Sequence, residues 1–347
     1  MTPDTVSLVC DAGEIQHWER YEIESDLLTP ADAFHLVTRC VPGWRSSLKK
    51  GATVQLTVNG QVAMVGILEG TSVITDRGKT ELVIEGRDFA GCRMVDQAAP
   101  FISLESVPLR TLVSRCAKEA GVTVQFIAGA GGTVQDYKSN PGESCWDVCW
   151  RACSKLGVGL WGDEQGNLIC GRPNYEGPPR MRLEHHLNGP ASARNNVERI
   201  AVHESIAERF SLIEIYGQKQ GNSLDFGESA AGAILASGTD PDVPYRKVLR
   251  IVDSDAKDQG TAQLRANTEV GIRKMKATLI EALVPLHSQN QLVYKTNDLA
   301  QVIDDASETN GMYYITKRRF TYNRLEGQHT YLVLTIPGVW GTYAMVA

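Results

Sequence analysis

The 347-residue chain has a mass of 38.0 kDa, 42% hydrophobic residues and a formal net charge of −6. That is enough apolar material for two or three packed domains, and the acidic balance argues against a general nucleic-acid binder. No apolar run reaches the ~20 residues of a membrane span, and the first 18 residues lack the basic and apolar regions of a signal peptide, so neither membrane insertion nor export is expected.

Residues 5–88 read as β. Val6–Cys10 opens as an alternating or half-buried strand, and Asp32–Thr38 alternates apolar and polar side chains. Thr53–Val58 and Val62–Leu68 flank Asn59-Gly60, whose tolerance of positive φ suits a tight hairpin. A further pair of strands flanks Asp76-Arg77-Gly78 and ends in Leu82-Val83-Ile84, where Gly86 is expected to turn the chain sharply out of the strand. Asp88 would then cap an Asx turn or a helix, and Arg87 would pair with a carboxylate or reach across a joint.

Beyond residue 100 the pattern changes. Ser106-Val107-Pro108-Leu109 predicts a helix start with Ser106 as cap, and Leu109, Leu112, Val113 and Cys116 follow at helical spacing until Gly121. Val122–Phe126 reads as a strand, and Gly129–Gly132 as a turn in a polar loop that runs on to Asn140-Pro141-Gly142. Ser144–Leu156 is a second amphipathic helix, followed by a hairpin around Asp163–Asn167. Residues 173–180, with three prolines, form a linker. Arg209–Gly217 reads as a strand, 221–243 as a long mobile loop, 255–281 as a long helix, and 283–341 as β again. A shift of 250 residues places Met64 on Tyr314 and Leu82-Val83-Ile84 on Leu332-Val333-Leu334, which suggests a duplicated β unit.

Candidate chemistry is sparse. Eight cysteines occur without a C-x-x-C pair, so free thiols are expected. Cys145, Cys149 and Cys153 lie on neighbouring turns of one helix face, where small buried hydrophobes are expected rather than metal ligands. His185-His186 reads as a solvated loop pair, and Gly129–Gly132 lacks the Lys-Ser or Lys-Thr of a phosphate loop. Acid pairs such as Asp304-Asp305 carry no specific hydrolase signal. Lys317, Arg318, Arg319 and Arg324, beside Tyr313, Tyr314, Phe320 and Tyr322, form a candidate interface basic patch; single-stranded nucleic-acid binding is the sharper alternative. No catalytic residue, cofactor or metal site is expected.

Four ordered features carry a family resemblance. They are the strand entering Gly86-Arg87-Asp88 and continuing to Val95-Asp96, and the helix before Gly121-Val122-Thr123-Val124. Then come Pro141-Gly142-Glu143-Ser144 opening a helix before the Asp163–Asn167 hairpin, and finally the long helix followed by Asn297-Asp298, Gly311–Ile315 and Leu332–Thr335. In this order they resemble baseplate hub proteins of contractile-tailed, Mu-like phages, related to late control protein D. Met94, where the family often has Leu, and the cysteines of the second helix depart from that pattern.

The resemblance implies an α+β, β-rich fold: two tube-like β-barrel or sandwich domains with a small α/β domain between them. The expected division is 1–98 for the first tube-like β domain, 99–172 for the α/β domain and 173–182 for the linker. Residues 183–282 would supply a strand, a mobile loop and a long helix leading into the second β domain, completed by 283–347. It further implies a homotrimer forming a pseudo-sixfold ring between a hexameric tail tube and a trimeric central spike. Other baseplate proteins and the tape-measure protein are further partners, and the particle would be assembled in the host bacterial cytoplasm. Arg87, Asp88 and Asp96 would then lie at a domain or subunit junction. The alternatives are a peptidoglycan hydrolase, a glycan- or nucleic-acid-binding module using the 313–324 patch, and the base of a secretion-system spike.

Overall fold

The computed structural model describes all residues except 1, 12, 42, 174, 176, 188–194, 219–230, 254–255, 257 and 338–347. The first block contains β1 (Val6–Cys10), β2 (Gly13–Ile15), β3 (Arg20–Asp26), β4 (Ala33–Arg39), a one-turn helix α1 (Trp44–Ser47), β5 (Thr53–Val58), β6 (Gln61–Asp76) and β7 (Lys79–Asp88). Strand β7 does not end at Ile84. It runs through Gly86 and Arg87 to Asp88, because Gly86 serves packing rather than turning: a Cβ there would lie 2.0 Å from the Ile67 carbonyl and 2.5 Å from the Phe34 ring.

Helix α2 (Phe89–Asp96) follows directly, then β8 (Ser103–Pro108), α3 (Leu109–Ala120), β9 (Val124–Phe126), β10 (Thr133–Lys138), α4 (Cys145–Lys155), β11 (Gly159–Gly162) and β12 (Leu168–Gly171). Ser106 does not cap α3; it lies in β8, opposite Gln135 of a strand the polar loop concealed, and Pro108 occupies the cap position. Gly121 ends α3 in the left-handed conformation, and Ser144 with Asp147 closes a reciprocal capping box on α4. The core of this α/β unit takes in Ala90 and Met94, so α2 packs forward into it, ahead of the expected boundary at 98.

The remainder holds β13 (Met181–His185), β14 (Arg199–Glu204), β15 (Leu212–Gln218), β16 (Ala231–Thr239), β17 (Val248–Asp253), α5 (Gln259–Ala277), β18 (Thr278–Pro285), β19 (Ser288–Gln289), β20 (Leu292–Val293), β21 (Leu299–Asp304), β22 (Thr309–Asn323) and β23 (Gly327–Thr335). Three expectations need correction. The 173–182 linker gives way to β13 at Met181, which pairs with β21. Part of the 221–243 loop is strand β16, while its residues up to 230 lie outside the described residues. The long helix stops at Ala277, because Thr278–Pro285 alternates inward and outward side chains in a strand paired with β14 and β23. Strands β15–β17 and α5 form a separate layer with its own core around Ile213, Ile215, Ala262 and Ala266.

Among the described residues a thirteen-stranded sheet dominates. Within it, β3-β4-β7-β6-β5-β1 and β14-β18-β23-β22-β21-β13 follow one another in the same neighbour order, and the pairings correspond except at the last strand, where β1 runs antiparallel to β5 but β13 runs parallel to β21. The register between the copies differs from a uniform 250. Glu69 is skipped in the β6–β7 pairing and Thr316 in the β22–β23 pairing, and superposing these bulges carries Gly70–Asp76 onto Lys317–Asn323. The second hairpin is one residue longer, Asn323↔Gly327 against Asp76↔Lys79, which a uniform shift cannot accommodate. Strand β14 corresponds to β3: the Glu198 N–H donates to the Leu283 carbonyl just as the Glu19 N–H donates to the Val37 carbonyl, both at 2.8 Å. Between β3 and β4 the chain makes a short turn; between β14 and β18 it inserts the whole β15–α5 layer. The two repeats join where β22 pairs with β3, over Lys317↔Asp26 to Asn323↔Arg20, and one hydrophobic core runs through both.

Candidate functional site

Two clusters gather the charged residues singled out from the sequence. The first lies where β7 passes into α2. Asp88 is buried and caps α2: its Oδ2 accepts from the Gly91 N–H at 2.6 Å, and its Oδ1 accepts from the Asp32 N–H at 2.8 Å. Asp32 in turn accepts from the Asp26 N–H at 2.8 Å. Burial pushes the Asp88 carboxyl up to about 6, and burial together with Asp88 raises that of Asp32. Gly91 has no room for a side chain, since a Cβ would meet the Pro30 carbonyl at 2.4 Å and the Ala31 Cα at 2.7 Å. The cap, the 26–32 loop and α2 are therefore one close-packed corner.

On the outer side of that corner, Arg87 bonds both oxygens of Glu69 and both of Asp96. These carboxylates raise the pKa of its guanidinium. Glu69 is the bulge residue of β6, so Arg87 ties the bulge to the end of α2. Sequence reading found Arg87, Asp88 and Asp96 but missed Glu69 and Asp32, which no local motif connects to them.

The second cluster is the basic run on β22, and the structure gives its members different tasks. Arg318 is fully buried. Its Nη2 donates to Ser25 Oγ at 2.5 Å and to the Ala63 carbonyl at 3.4 Å, its Nη1 to the Tyr294 carbonyl at 3.3 Å, and the guanidinium lies 4.2 Å from the Phe320 ring centre. Lys317 contacts Glu24 and Asp26, Arg319 lies 3.7 Å from Glu22, and Arg324 bonds Glu19 at 2.8 Å. All these acids come from β3 or the residue before it. Lys317, Arg319 and Arg324 thus each face an acid of the same chain across the joint between the repeats, with Arg324 still largely exposed, while Arg318 is buried among neutral acceptors.

The other marked residues are structural. Cys145, Cys149 and Cys153 are buried, Cys153 Sγ lies 3.9 Å from Cys170 Sγ, and all eight cysteines are free. His185 and His186 are not a solvated pair: each turns to its own acid, Asp304 at 2.7 Å and Asp305 at 3.2 Å, as alternation along an extended chain requires. The sequence reading overlooked His287, buried between the Tyr21 hydroxyl at 2.6 Å and Thr330 Oγ1 at 3.0 Å; burial depresses its pKa to about 3, so it is neutral. Among the described residues, no group of three or more His, Cys, Asp or Glu is placed to hold a metal.

Residues 5–88 match the family model described as Mu phage baseplate assembly protein GpP-like, N-terminal, and residues 91–172 match that of baseplate hub protein gp44-like, second domain. No curated protein sequence matches the chain. Among solved structures, a tail protein from Neisseria meningitidis MC58 is 23% identical over 99% of this chain and 100% of its own, with a TM-score of 0.84. The 43 kDa tail protein of prophage MuSo2 from Shewanella oneidensis is 20% identical over 97% and 99%, with a TM-score of 0.81. An E. coli type VI secretion component, described as structurally similar to T4 tail proteins gp27 and gp5, is 9% identical over 94% and 75%, with a TM-score of 0.56. At these identities the likeness to solved structures is one of fold.

Proposed function

As a chain that matches a Mu phage GpP-like baseplate assembly domain and then a gp44-like baseplate hub domain, this molecule is, we propose, the structural hub of a contractile tail's baseplate, acting as a homotrimer. The observation that carries the trimer is the repeat: two β units with the same strand order lie in one continuous sheet. Three such chains present six similar β units and a threefold arrangement of everything else. That geometry suits a ring that meets a sixfold tail tube on one side and a threefold central spike on the other.

The work is done by interfaces, and no turnover is proposed. The polynucleotide- or glycan-binding reading of residues 313–324 is weakened because Lys317, Arg319 and Arg324 each face an acid of the same chain and Arg318 is fully buried. The fold shared with a type VI secretion component keeps one second reading within the same class, the base of a secretion spike. Mass photometry or sedimentation of the full chain tests the proposal. A species of three chains is expected, and monomer alone at every workable concentration refutes it.

A further inference from the structure

The joint between the repeats inside the chain has a counterpart at the chain's two outer edges. We infer that the β6 segment Gly70–Asp76 of one copy pairs antiparallel with β14 of a second copy, in the register by which β22 pairs with β3. This deepens the trimeric reading and rests on it.

On β22, residues 309–314 pair with β21, and residues 317–323, on the same side, pair with β3. On β6, residues 61–67 pair with β5, and the same side of Gly70–Asp76 has no strand partner among the described residues. Strand β14, the counterpart of β3, is paired among the described residues only with β18 and ends the sheet there. Carrying the internal register over sets Thr71 opposite Glu204, Ser72 opposite His203, Val73 opposite Val202, Ile74 opposite Ala201, Thr75 opposite Ile200 and Asp76 opposite Arg199.

The side chains fit that register. Val73 and Val202 take the places of Phe320 and Ile23, which face each other at the internal joint and are both fully buried; Val73 is instead 39% exposed. Ile74 at 45% and Ile206 at 40% are also large exposed hydrophobics, and all three lie on or beside these two edges. Asp76 meets Arg199, an opposite-charge pair, as Lys317 meets Asp26 and Arg319 meets Glu24 in the internal register. At the internal bulge the Leu27 N–H donates to the Thr316 carbonyl at 2.9 Å; the counterpart is the Ile206 N–H on the Glu69 carbonyl. Arg87, by holding the Glu69 side chain, fixes the backbone at that end of the edge. Unpaired strand edges with exposed apolar side chains invite such pairing.

The joint uses different edges on the two partners, so it is head-to-tail and closes only in a ring. In the full chain, Val73→Cys with Val202→Cys, oxidised by copper-phenanthroline, is expected to yield a covalent trimer on a non-reducing gel, because directly opposed residues lie within disulfide reach. Either single substitution, or Val73→Cys with Glu204→Cys, should not. Separately, Asp76→Arg should raise the concentration for half-dissociation at least tenfold, and adding Arg199→Asp should restore it. Trimers by mass without cross-linking in the stated register, or unaffected by Asp76→Arg, overturn the joint and leave the trimeric hub standing. Monomer alone at all concentrations overturns both.

Discussion

One glycine, one buried arginine and a pair of neighbouring aspartates show how much single residues decide here. A Cβ at Gly91 would meet the backbone of Pro30 and Ala31 as well as the capping carboxylate of Asp88, so Gly91→Ala must push the 30–31 loop away from α2. It is expected to cost about 1–3 kcal/mol in urea denaturation, typical of overpacking. Arg318→Ala would leave the Tyr294 and Ala63 carbonyls without their donor and open a cavity at the joint, a loss of about 3 kcal/mol or more on the same measurement. The Asp32–Asp88 pair predicts a pH effect. Both carboxyls are harder to ionise in the fold than in the unfolded chain; the Asp88 contribution is complete below about pH 4 and is lost as pH rises through about 6, and Asp32 acts in the same direction. Asp32→Asn should flatten this fall, seen as a smaller change in urea midpoint between pH 4.5 and pH 7.

At the scale of elements, legibility followed local information. The Asn59-Gly60 hairpin, the capped helix after Ser144 and the Gly121 stop are each set by neighbours in sequence and were readable there. Strand β10 was hidden because Thr133–Lys138 is polar and buries only Val134 and Tyr137 among its six residues. The helix boundary at Ala277 was misplaced because Leu279 suits both a helix stripe and the β18 alternation, and only pairing with β14 and β23 decides between them. The basic run on β22 was visible but its meaning was not, since its acidic partners lie some 290–305 residues away, in β3 and just before it. Phe320→Ala, removing a buried ring from the β22–β3 joint, should cost about 3–5 kcal/mol of unfolding free energy and is expected to release both repeats in one transition rather than two.

At the scale of the molecule, the order of blocks was readable and their connection was not. The sequence pattern foresaw two β units around an α/β unit, but pairing alone reveals that both units share one sheet, and that the second carries an inserted layer where the first has a turn. The shift between copies changes from strand to strand, which hides the repeat from any uniform alignment.

The two edges without a strand partner among the described residues would also shape how the proposed ring assembles. Any open string of chains, whether one copy or two, ends in one β6 edge and one β14 edge, so adding a copy leaves the exposure at the ends unchanged. The last joint forms between ends already tethered, and therefore costs far less translational freedom than the first. Pairs should accordingly be scarce at equilibrium. A titration followed by mass photometry is expected to pass from single chains to threes with little in between, and dilution to take the ring apart as abruptly as it formed.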